Sequence, residues 1–328
     1  MVRWAVIGTN VITENLIAAS KLVPEFELVG VYSRTAERAA EFAAKHGCCL
    51  TFTNMEELAR SDAIDAVYVA SPTSEHAKQC SVLLRHRKHV LCEKPACSNA
   101  AELMSVLDAA RESGCAFMEA MRPLKTPNFL RVLESLRELG QVRHFAGSFC
   151  QLSSRWPAYC RGERPNAFIN ELSNGCVMDI GCYAVYAAVG LFGEPLKVSY
   201  TPIMLETRVD GAGTLVLTYE GMICTLVISK MSHGWSHSEI QTDKATIRID
   251  NLGEFAEVHQ RSKGGQAENI GVEQHPNNMT YEIEAFCALV NQGKQQDDIL
   301  TWELALSVAR VLDAARRDAG VIFPADRD

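Results

Sequence analysis

The first 120 residues alternate short β-rich runs with amphipathic helical runs, and this alternation constrains the fold more than any other feature of the chain. Strands are predicted at Val2–Ile7, Glu27–Tyr32, Ala66–Ala70 and His89–Leu91, and helices at Glu14–Ser20 and Ala36–His46. Two more helices are predicted to open at Thr53–Glu56 and Asn99–Glu102, where a capping residue precedes a glutamate by three positions. Strands that alternate with helices form βαβ units, so we expect an α/β fold with a doubly wound parallel sheet.

The pattern changes after Met121. A helix is predicted to begin at Thr126–Asn128, with proline in its first turn, and Gly140 marks its end. Several β-rich segments follow with few helical signals between them: Val142–Cys150, Lys197–Met204, Gly213–Tyr219, Met222–Ser229 and Ala245–Ile249. Helices are predicted at Thr280–Asn291 and Trp302–Asp318, and the polar segment Arg261–Asn278 is predicted to be a mobile loop. We therefore expect a first domain over residues 1–121 and an α+β domain over 122–328, built on a large, mostly antiparallel sheet.

Composition excludes several classes of protein. The 328 residues are 47% hydrophobic and 22% charged, with a net charge of -8, which is typical of a folded globular chain. A mildly acidic chain without clustered lysine and arginine does not favour binding to nucleic acid. The longest apolar runs, such as Ile64–Ala70, are shorter than the roughly 20 residues of a membrane helix, so no membrane partner is expected.

The beginning of the chain and its cysteines point to the cytoplasm. The first residues run directly into the predicted strand and leave no room for an export signal. The twelve cysteines are scattered, and several lie in apolar runs, which favours reduced thiols over disulfides. No Cys-x-x-Cys pair occurs, and His86 and His89 lack partners at zinc-site spacing, so no metal is expected.

The loop after the first predicted strand has the position of a dinucleotide fingerprint. The segment Gly8-Thr9-Asn10-Val11-Ile12-Thr13 stands where a Rossmann domain has Gly-x-Gly-x-x-Gly. This loop must turn tightly and bring backbone N–H groups to a pyrophosphate at a helix N-terminus. Gly8 meets that demand, and Asn10 is expected to replace the second glycine because asparagine tolerates left-handed backbone geometry. The alternative is an ordinary turn that opens a helix.

Ser33 and Arg34 follow the second predicted strand, where NAD-binding proteins place an acidic residue on the ribose 2′-hydroxyl. A hydroxyl and a guanidinium can instead bind a 2′-phosphate through charge-assisted hydrogen bonds. The sequence therefore favours NADP over NAD as the cofactor. The alternative is that Arg34 is a solvated residue before a helix.

Three further motifs make the chain resemble the Gfo/Idh/MocA family of oxidoreductases. They are Cys92-Glu93-Lys94-Pro95, the segment Asn174–Tyr183 with Asp179 inside it, and the inter-domain junction Met118–Pro123. The resemblance covers nearly the whole chain. Members similar to inositol dehydrogenase have His-Asp where this chain has Tyr183-Ala184, so the chain is closer to the branch of dimeric dihydrodiol dehydrogenase and xylose dehydrogenase. This departure argues against an inositol substrate.

The resemblance implies a role for each matched residue. Gly8, Thr9, Asn10, Val11 and Ile12 would line the pyrophosphate, Ser33 and Arg34 the adenosine ribose, and Ser71, Thr73 and His76 the length of the cofactor. Glu93 and Lys94 would lie near the nicotinamide ribose. Asp179 and Tyr183 would face a sugar, polyol or vicinal-diol substrate.

Hydride transfer from an alcohol needs a proton acceptor and an oxyanion stabiliser at one oxygen, and Tyr183 and Lys94 can fill these roles. A tyrosine has a pKa of about 10, and a cation such as Lys94 would lower it. If residues 179–190 are helical, Asp179 shares a face with Tyr183 and can orient a hydroxyl or hold Lys94. The alternatives are a solvated Lys94 and a Tyr183 packed in the core.

Two other functions compete with the hydride-transfer enzyme. One is a non-catalytic regulator that senses dinucleotides on the same scaffold, which has no need of Lys94 and Tyr183. The other is an NAD-dependent glycosidase, whose Gly- and His-rich substrate motif is missing from this sequence. Because the strands at 213–219 and 222–229 carry apolar side chains on both faces, we also expect a homo-oligomer, a dimer formed through the open face of the second sheet.

Overall fold

The computed structural model describes residues 1–327, which divide into two compact units, 1–121 with 275–305 and 122–274 with 306–327. The first unit contains six strands: β1 (Val2–Ile7), β2 (Phe26–Tyr32), β3 (Leu50–Phe52), β4 (Ala66–Val69), β5 (His89–Glu93) and β6 (Phe117–Ala120). All pair in parallel in the order β3-β2-β1-β4-β5-β6. This is the strand order of a Rossmann domain, so the predicted doubly wound sheet is confirmed.

Five helices connect these strands: α1 (Val11–Ser20), α2 (Ala36–His46), α3 (Met55–Arg60), α4 (Thr73–Arg85) and α5 (Ala100–Ser113). Asn54 caps α3 by accepting hydrogen bonds from two backbone N–H groups, so the predicted capping role of Thr53 was wrong by one residue. Asn99 caps α5 as predicted, and its glutamate partner Glu102 accepts from the backbone N–H of Ser98. These helix starts can be located from sequence because a capping side chain bonds to backbone N–H groups only two or three residues further along the chain.

The register of the parallel sheet sets the loops of the first unit beside one another. Ile7 at the end of β1 pairs with Tyr32 at the end of β2 and with Val69 at the end of β4. Cys92 of β5 pairs with the same Val69. The loops that begin at Gly8, Ser33, Ala70 and Lys94 therefore all leave one edge of the sheet, which is where ligands bind in open parallel sheets.

The second unit is built on eight strands: β7 (Val142–Cys150), β8 (Lys197–Met204), β9 (Asp210–Tyr219), β10 (Met222–Ser229), β11 (Ser238–Thr242), β12 (Ala245–Ile249), β13 (Val258–Ser262) and β14 (Ala267–Asn269). Their order is β14-β13-β12-β11-β7-β10-β9-β8, and only β7 and β10 pair in parallel. The predicted large, mostly antiparallel sheet is confirmed. Helices α6 (Pro127–Ser135), α7 (Trp156–Cys160) and α8 (Cys182–Phe192) also lie in this unit.

The segment Arg261–Asn278 is not one long loop as predicted, because β13 and β14 form a hairpin that includes residues 261–262 and 267–269. The turn between them contains Gly264 at a φ of 76°. The chain after the hairpin is fastened by Asn128, which accepts a hydrogen bond from the backbone N–H of Val272 and donates one to the carbonyl of Phe255. The polar composition concealed this hairpin, since its outer strand is exposed on both faces.

Residues 275–305, which the sequence analysis placed in the second domain, cluster with the first unit. They contain α9 (Met279–Asn291), which packs on α1 and β1, and they lead into α10 (Trp302–Asp318). Phe286 of α9 lies against the indole ring of Trp4 in β1, with ring centroids 5.1 Å apart. The apolar face of α9 thus completes the core of the parallel sheet, a long-range contact that local sequence patterns do not reveal.

The helical stretch from Asn170 to Phe192 is long and apolar enough to cross a membrane by length and composition, with a mean hydropathy of 1.6. The prediction that every apolar run is shorter than a membrane helix was wrong for this segment. The segment includes a π-helical turn at Val177–Gly181 that continues into α8. Because 72% of its apolar window is buried within the protein, it is the core helix of the second unit.

Candidate functional site

Gly8 shapes the loop between β1 and α1. Its φ of 100° is strained for any residue with a side chain, and a Cβ built on it would lie 2.5 Å from the carbonyl oxygen of Ala70. The backbone can therefore pass close to β4 only with glycine at this position. Immediately beyond it, Val11 opens α1 and is 70% exposed. The close backbone turn and the helix N-terminus directly after it fit a bound pyrophosphate.

Asn10 supports this loop by a different mechanism from the one expected. Its φ of -104° and ψ of 177° are extended, so it does not use left-handed geometry in place of a glycine. It is the N-cap of α1 and accepts hydrogen bonds from the backbone N–H and the hydroxyl of Thr13, at 3.1 and 3.2 Å. Its amide also donates to the carbonyl of Ala70 at 2.8 Å. Thr13, in the place of the third glycine, is fully buried in the packing beneath the loop.

Arg38 is a residue of this loop region that sequence reasoning missed. Its guanidinium donates to the hydroxyl and to the carbonyl of Thr9, each at 3.0 Å, and also pairs with Glu41. Arg34 lies exposed just before α2, and Ser33 is half-buried at the end of β2. Arg34 and Arg38 thus lie within a stretch of five residues, and Arg38 contacts the loop between β1 and α1. The spacing of Arg34 and Arg38 was visible in the sequence. The contact between Arg38 and Thr9 was not, because 29 residues separate them.

Ser71, Thr73 and His76 lie at or after the end of β4. Ser71 donates to the amide oxygen of Gln79 at 2.7 Å, and Thr73 begins α4 as a buried residue. His76 is 1% exposed, and its two ring nitrogens contact the carbonyls of Ser71 and Pro95 at 2.8 and 3.0 Å. Burial lowers the pKa of His76, opposed by these hydrogen bonds. His76 therefore braces the loop after β4 against the loop after β5.

Glu93 and Lys94 end β5 before the cis peptide bond to Pro95. Lys94 is half-buried, and its backbone N–H donates to the Glu93 carboxylate at 3.2 Å. The hydroxyl of Tyr68, in the neighbouring β4, donates to the other oxygen of that carboxylate. Burial, followed by the charges of Glu93 and Glu282, raises the pKa of Tyr68 well above its usual value, which keeps its hydroxyl a donor. Glu93 is thus held rigidly beneath the backbone that carries Lys94.

Asp179 lies in the π-helical turn of the second unit and pairs with Lys230, a residue absent from the sequence-based site. The Lys230 ammonium is 2.5 Å from Oδ2 of Asp179. Its side chain is 2% exposed, whereas that of Asp179 is 32% exposed. Lys230 immediately follows the apolar strand β10, and that placement of a cation was the one available signal in the sequence.

Tyr183 lies on α8, four residues beyond Asp179, and is half-buried. Its ring packs at 87° against the ring of Phe149 from β7, with centroids 5.3 Å apart. Residues 177–192 are helical throughout, which is the condition on which the expected shared face of Asp179 and Tyr183 depends, but the turn that contains Asp179 is π-helical. Such turns are frequent at functional sites because they displace side chains from the regular α-helical spacing.

The start of this helix is fixed by Asp210, a buried carboxylate on β9. It accepts hydrogen bonds from the backbone N–H groups of Cys176 and Val177, at 3.0 and 2.7 Å, and from the hydroxyl of Tyr200 at 2.5 Å. Burial raises the pKa of Asp210, opposed by these hydrogen bonds. A Cβ at Gly175, whose φ is 141°, would lie 2.4 Å from Oδ1 of Asp210. The helix start therefore requires both the glycine and the carboxylate.

The structure thus gathers the predicted cofactor residues at one sheet edge in the first unit and places Asp179 and Tyr183 on one helix in the second. The first group can bind a dinucleotide phosphate, and the second offers a carboxylate and a phenol to a hydroxylated ligand. Within residues 1–327, no group of three or more His, Cys, Asp or Glu side chains is arranged to hold a metal ion.

Comparison with known proteins gives matches to both halves of the chain. Residues 2–121 match the model described as oxidoreductase family, NAD-binding Rossmann fold, and residues 131–248 match the GFO/IDH/MocA C-terminal domain. The chain is 42% identical to a scyllo-inositol 2-dehydrogenase (NADP(+)) of Bacillus subtilis, over the full length of both. It is 26% identical to a trans-1,2-dihydrobenzene-1,2-diol dehydrogenase of Xenopus laevis, covering 98% of this chain and 99% of that protein.

A solved structure with a similar fold is that of a 3-ketoreductase from Actinomadura kijaniata, in complex with NADP and TDP-benzene. It superposes with a TM-score of 0.85 at 25% identity and covers 97% of each chain. The similarity in sequence and fold therefore spans both units rather than the nucleotide-binding half alone.

Proposed function

This chain belongs to the Gfo/Idh/MocA family and is an NAD(P)-dependent oxidoreductase that acts on CH–OH groups, and from this premise we propose that its substrate is a cyclic polyol of the inositol type and that NADP is its preferred cofactor. One observation carries the proposal: the half-buried Asp179 and Tyr183 lie on one helix of a chain that is similar over its full length to a scyllo-inositol dehydrogenase. On sequence alone, Tyr183-Ala184 argues against an inositol substrate, whereas the full-length similarity to an inositol dehydrogenase favours one.

The cofactor half of the proposal rests on residues of the first unit. Gly8, the N-terminus of α1 and Asn10 would hold the pyrophosphate, and Ser33 with Arg34 would bind the 2′-phosphate, while Arg38 holds Thr9 in place. NADP supplies the hydride acceptor when bound. Glu93 would fix the backbone of Lys94 through the hydrogen bond already described.

In the proposed oxidation, a secondary alcohol loses hydride to NADP and its hydroxyl proton to the protein, which leaves a ketone. Tyr183 is proposed to accept that proton at its phenol oxygen, with the Phe149 ring restricting its motion. Lys94 is proposed to stabilise negative charge on the substrate oxygen. Asp179 is proposed to accept a hydrogen bond from a neighbouring hydroxyl, which would favour vicinal diols and polyols.

The experiment is to follow nicotinamide absorbance with purified protein, NADP or NAD, and a panel of inositols, aldoses, linear polyols and vicinal diols. We expect the highest kcat/KM with NADP and a cyclic polyol. Activity restricted to aldoses or linear polyols would contradict the substrate class. A protein that binds NADP but turns over no member of the panel would favour a regulator.

We propose that the protein forms a homodimer through the open face of the second sheet. Ile223 and Val227 on β10 are 46% and 45% exposed, whereas Leu226 and Ile228 on the same strand are buried on the other face. Large exposed apolar residues at the centre of a sheet favour a protein partner. Sedimentation should give a dimer at micromolar concentration, and Val227→Glu should give a monomer. Met104→Glu, at an exposed position on α5, is the control, and a monomeric wild-type protein would contradict the proposal.

We propose a cytoplasmic location for the same enzyme. All twelve cysteines are free thiols, and most are buried, as suits a reducing compartment. Cell fractionation of the native protein should find it with cytoplasmic markers, and recovery with exported proteins would contradict this location.

A further inference from the structure

We propose that Lys230 is a positioning residue for the reaction: it fixes the Asp179 carboxylate so that this carboxylate can accept a hydrogen bond from the substrate. This inference rests on the proposed function and adds to it a residue that acts through Asp179. Its starting point is an asymmetric ion pair. The ammonium, 2.5 Å from Oδ2 of Asp179, has a side chain that is 2% exposed, while the carboxylate side chain is 32% exposed.

The cation is held from several sides within the second unit. Its ammonium donates to the carbonyl of Ala167 at 3.0 Å and lies 4.8 Å from the centroid of the Phe168 ring. Its backbone N–H donates to the carbonyl of Gly211, and its own carbonyl accepts from the N–H of Ser153. With both its backbone and its ammonium bound, Lys230 cannot swing away from Asp179 without breaking several contacts.

The geometry of the carboxylate makes this rigidity useful for binding a ligand. Asp179 lies on a π-helical turn, and the backbone N–H of Asp179 bonds to the carbonyl of Gly175. An ionised carboxylate only accepts hydrogen bonds. Because the buried Lys230 holds the partly exposed Asp179 carboxylate, that carboxylate presents a hydrogen-bond acceptor in a fixed position at the surface. Burying a lysine without a partner costs desolvation free energy, so Asp179 allows Lys230 to be buried. In return, the ion pair holds the Asp179 carboxylate in place.

A second buried cation in the same unit provides a matched control. Arg316 has a side chain that is 3% exposed, and it pairs with Asp313 at 2.7 Å and Asp326 at 2.6 Å. It also lies over the ring of Phe323, at 4.3 Å from the centroid. Arg316 and Lys230 are thus both buried, paired with carboxylates and packed on an aromatic ring. The two ion-pair partners of Arg316 described here, Asp313 and Asp326, are not proposed substrate residues.

The test measures kcat, substrate KM and NADP affinity for Lys230→Met, Lys230→Arg, Asp179→Asn, the double variant Lys230→Met/Asp179→Asn, and Arg316→Met. We expect Lys230→Met to lower kcat/KM roughly 10²-fold, the scale of a small misplacement of a reacting group, with NADP affinity retained. Lys230→Arg should recover most of the loss. The double variant should be no worse than Asp179→Asn alone, because Lys230 acts through Asp179. Arg316→Met should lower thermal stability with kcat retained.

The possible results separate this inference from the proposed function. Full turnover by Asp179→Asn would reject the role of Asp179 in the proposed function. Impaired Asp179→Asn together with a fully active Lys230→Met would reject the inference alone, as would losses that multiply in the double variant. Equal loss of kcat in Arg316→Met would attribute the effect to general destabilisation and overturn the inference. If Lys230→Met does not fold, Lys230→Gln, which keeps a donor for the carbonyl of Ala167, replaces it with the same expected loss.

Discussion

Asn10 and Arg38 illustrate what a single residue reveals in sequence and what it conceals. The sequence showed that Asn10 stands in the fingerprint, but it did not show how Asn10 supports the loop. Asparagine suits both a helix N-cap and a left-handed backbone, so its identity alone does not distinguish the two roles. The contact of Arg38 with Thr9 joins two loops through the parallel sheet, which no local pattern encodes. Lys230 was missed for the same reason, since 51 residues separate it from Asp179.

Arg34 and Arg38 are expected to differ in their effects on cofactor choice. Arg34→Ala should weaken NADP binding about tenfold to a hundredfold and leave NAD nearly unchanged, because a charge-assisted hydrogen bond is worth about 1.5–3 kcal/mol. Arg38→Ala should weaken both cofactors, since Arg38 supports the backbone of Thr9. Fluorescence titration of each variant with both dinucleotides measures this. Equal losses of NADP and NAD in Arg34→Ala would mean that Arg34 has a structural role.

At the scale of elements, the strands and helices with clear periodicity were predicted well. The predicted strand Val142–Cys150 and helix Ala36–His46 have the same bounds in the structure. Helix α1 begins at Val11 rather than Glu14, because its cap is the loop residue Asn10. The hairpin of β13 and β14 was missed, since its short polar strands depend on pairing with β12 rather than on their own composition.

The helix that carries Asp179 and Tyr183 depends on Asp210 at its start. Asp210→Asn places an amide donor where the carboxylate accepts three hydrogen bonds, so one buried donor loses its acceptor. We expect the free energy of unfolding to fall by about 1–3 kcal/mol, measured by chemical denaturation. Tyr200→Phe removes only one of the three bonds and should cost less. An Asp210→Asn protein as stable as the wild type would show that the carboxylate does not secure this helix.

At the scale of the whole molecule, the change in the pattern of strands predicts a break after Met121, and the compact units of the structure also divide at that residue. The sequence could not assign residues 275–305, because the membership of a helix is decided by what its apolar face covers. The packing of Phe286 of α9 against Trp4 is a tertiary contact of this kind. The resemblance to a known family supplied the candidate residues of the site, but not the ion pair between Lys230 and Asp179.

The stability of the protein should decrease as the pH falls below about 6.5. Burial lowers the pKa values of His46, His76 and His89 below that ordinary value, so these rings are more easily protonated in the unfolded chain. Their stabilising contribution is therefore complete above pH 6.5 and is lost as the pH falls through the lowered values. Carboxylates with lowered pKa values, such as Asp65 and Glu194, add their losses only below about pH 4.

Thermal unfolding between pH 5 and 8 measures this effect. His76→Gln should flatten the dependence on pH, whereas His233→Gln, at an exposed position, should leave it unchanged. A melting temperature that is constant from pH 8 to pH 5 would contradict the assignment of these histidines as neutral in the folded protein.

The most direct test of the proposed function is the rate of NADP reduction with scyllo-inositol by the wild-type protein and by Tyr183→Phe. The substitution removes one hydroxyl and retains the packing against Phe149. We predict that the wild type reduces NADP and that kcat falls by about 10²–10⁴ in the variant, the usual contribution of a general acid–base residue, with NADP affinity retained. Lys94→Met should cause a similar loss. Wild-type protein that reduces NADP with no cyclic polyol, or a Tyr183→Phe enzyme with the wild-type kcat when chemistry limits the rate, would contradict the account.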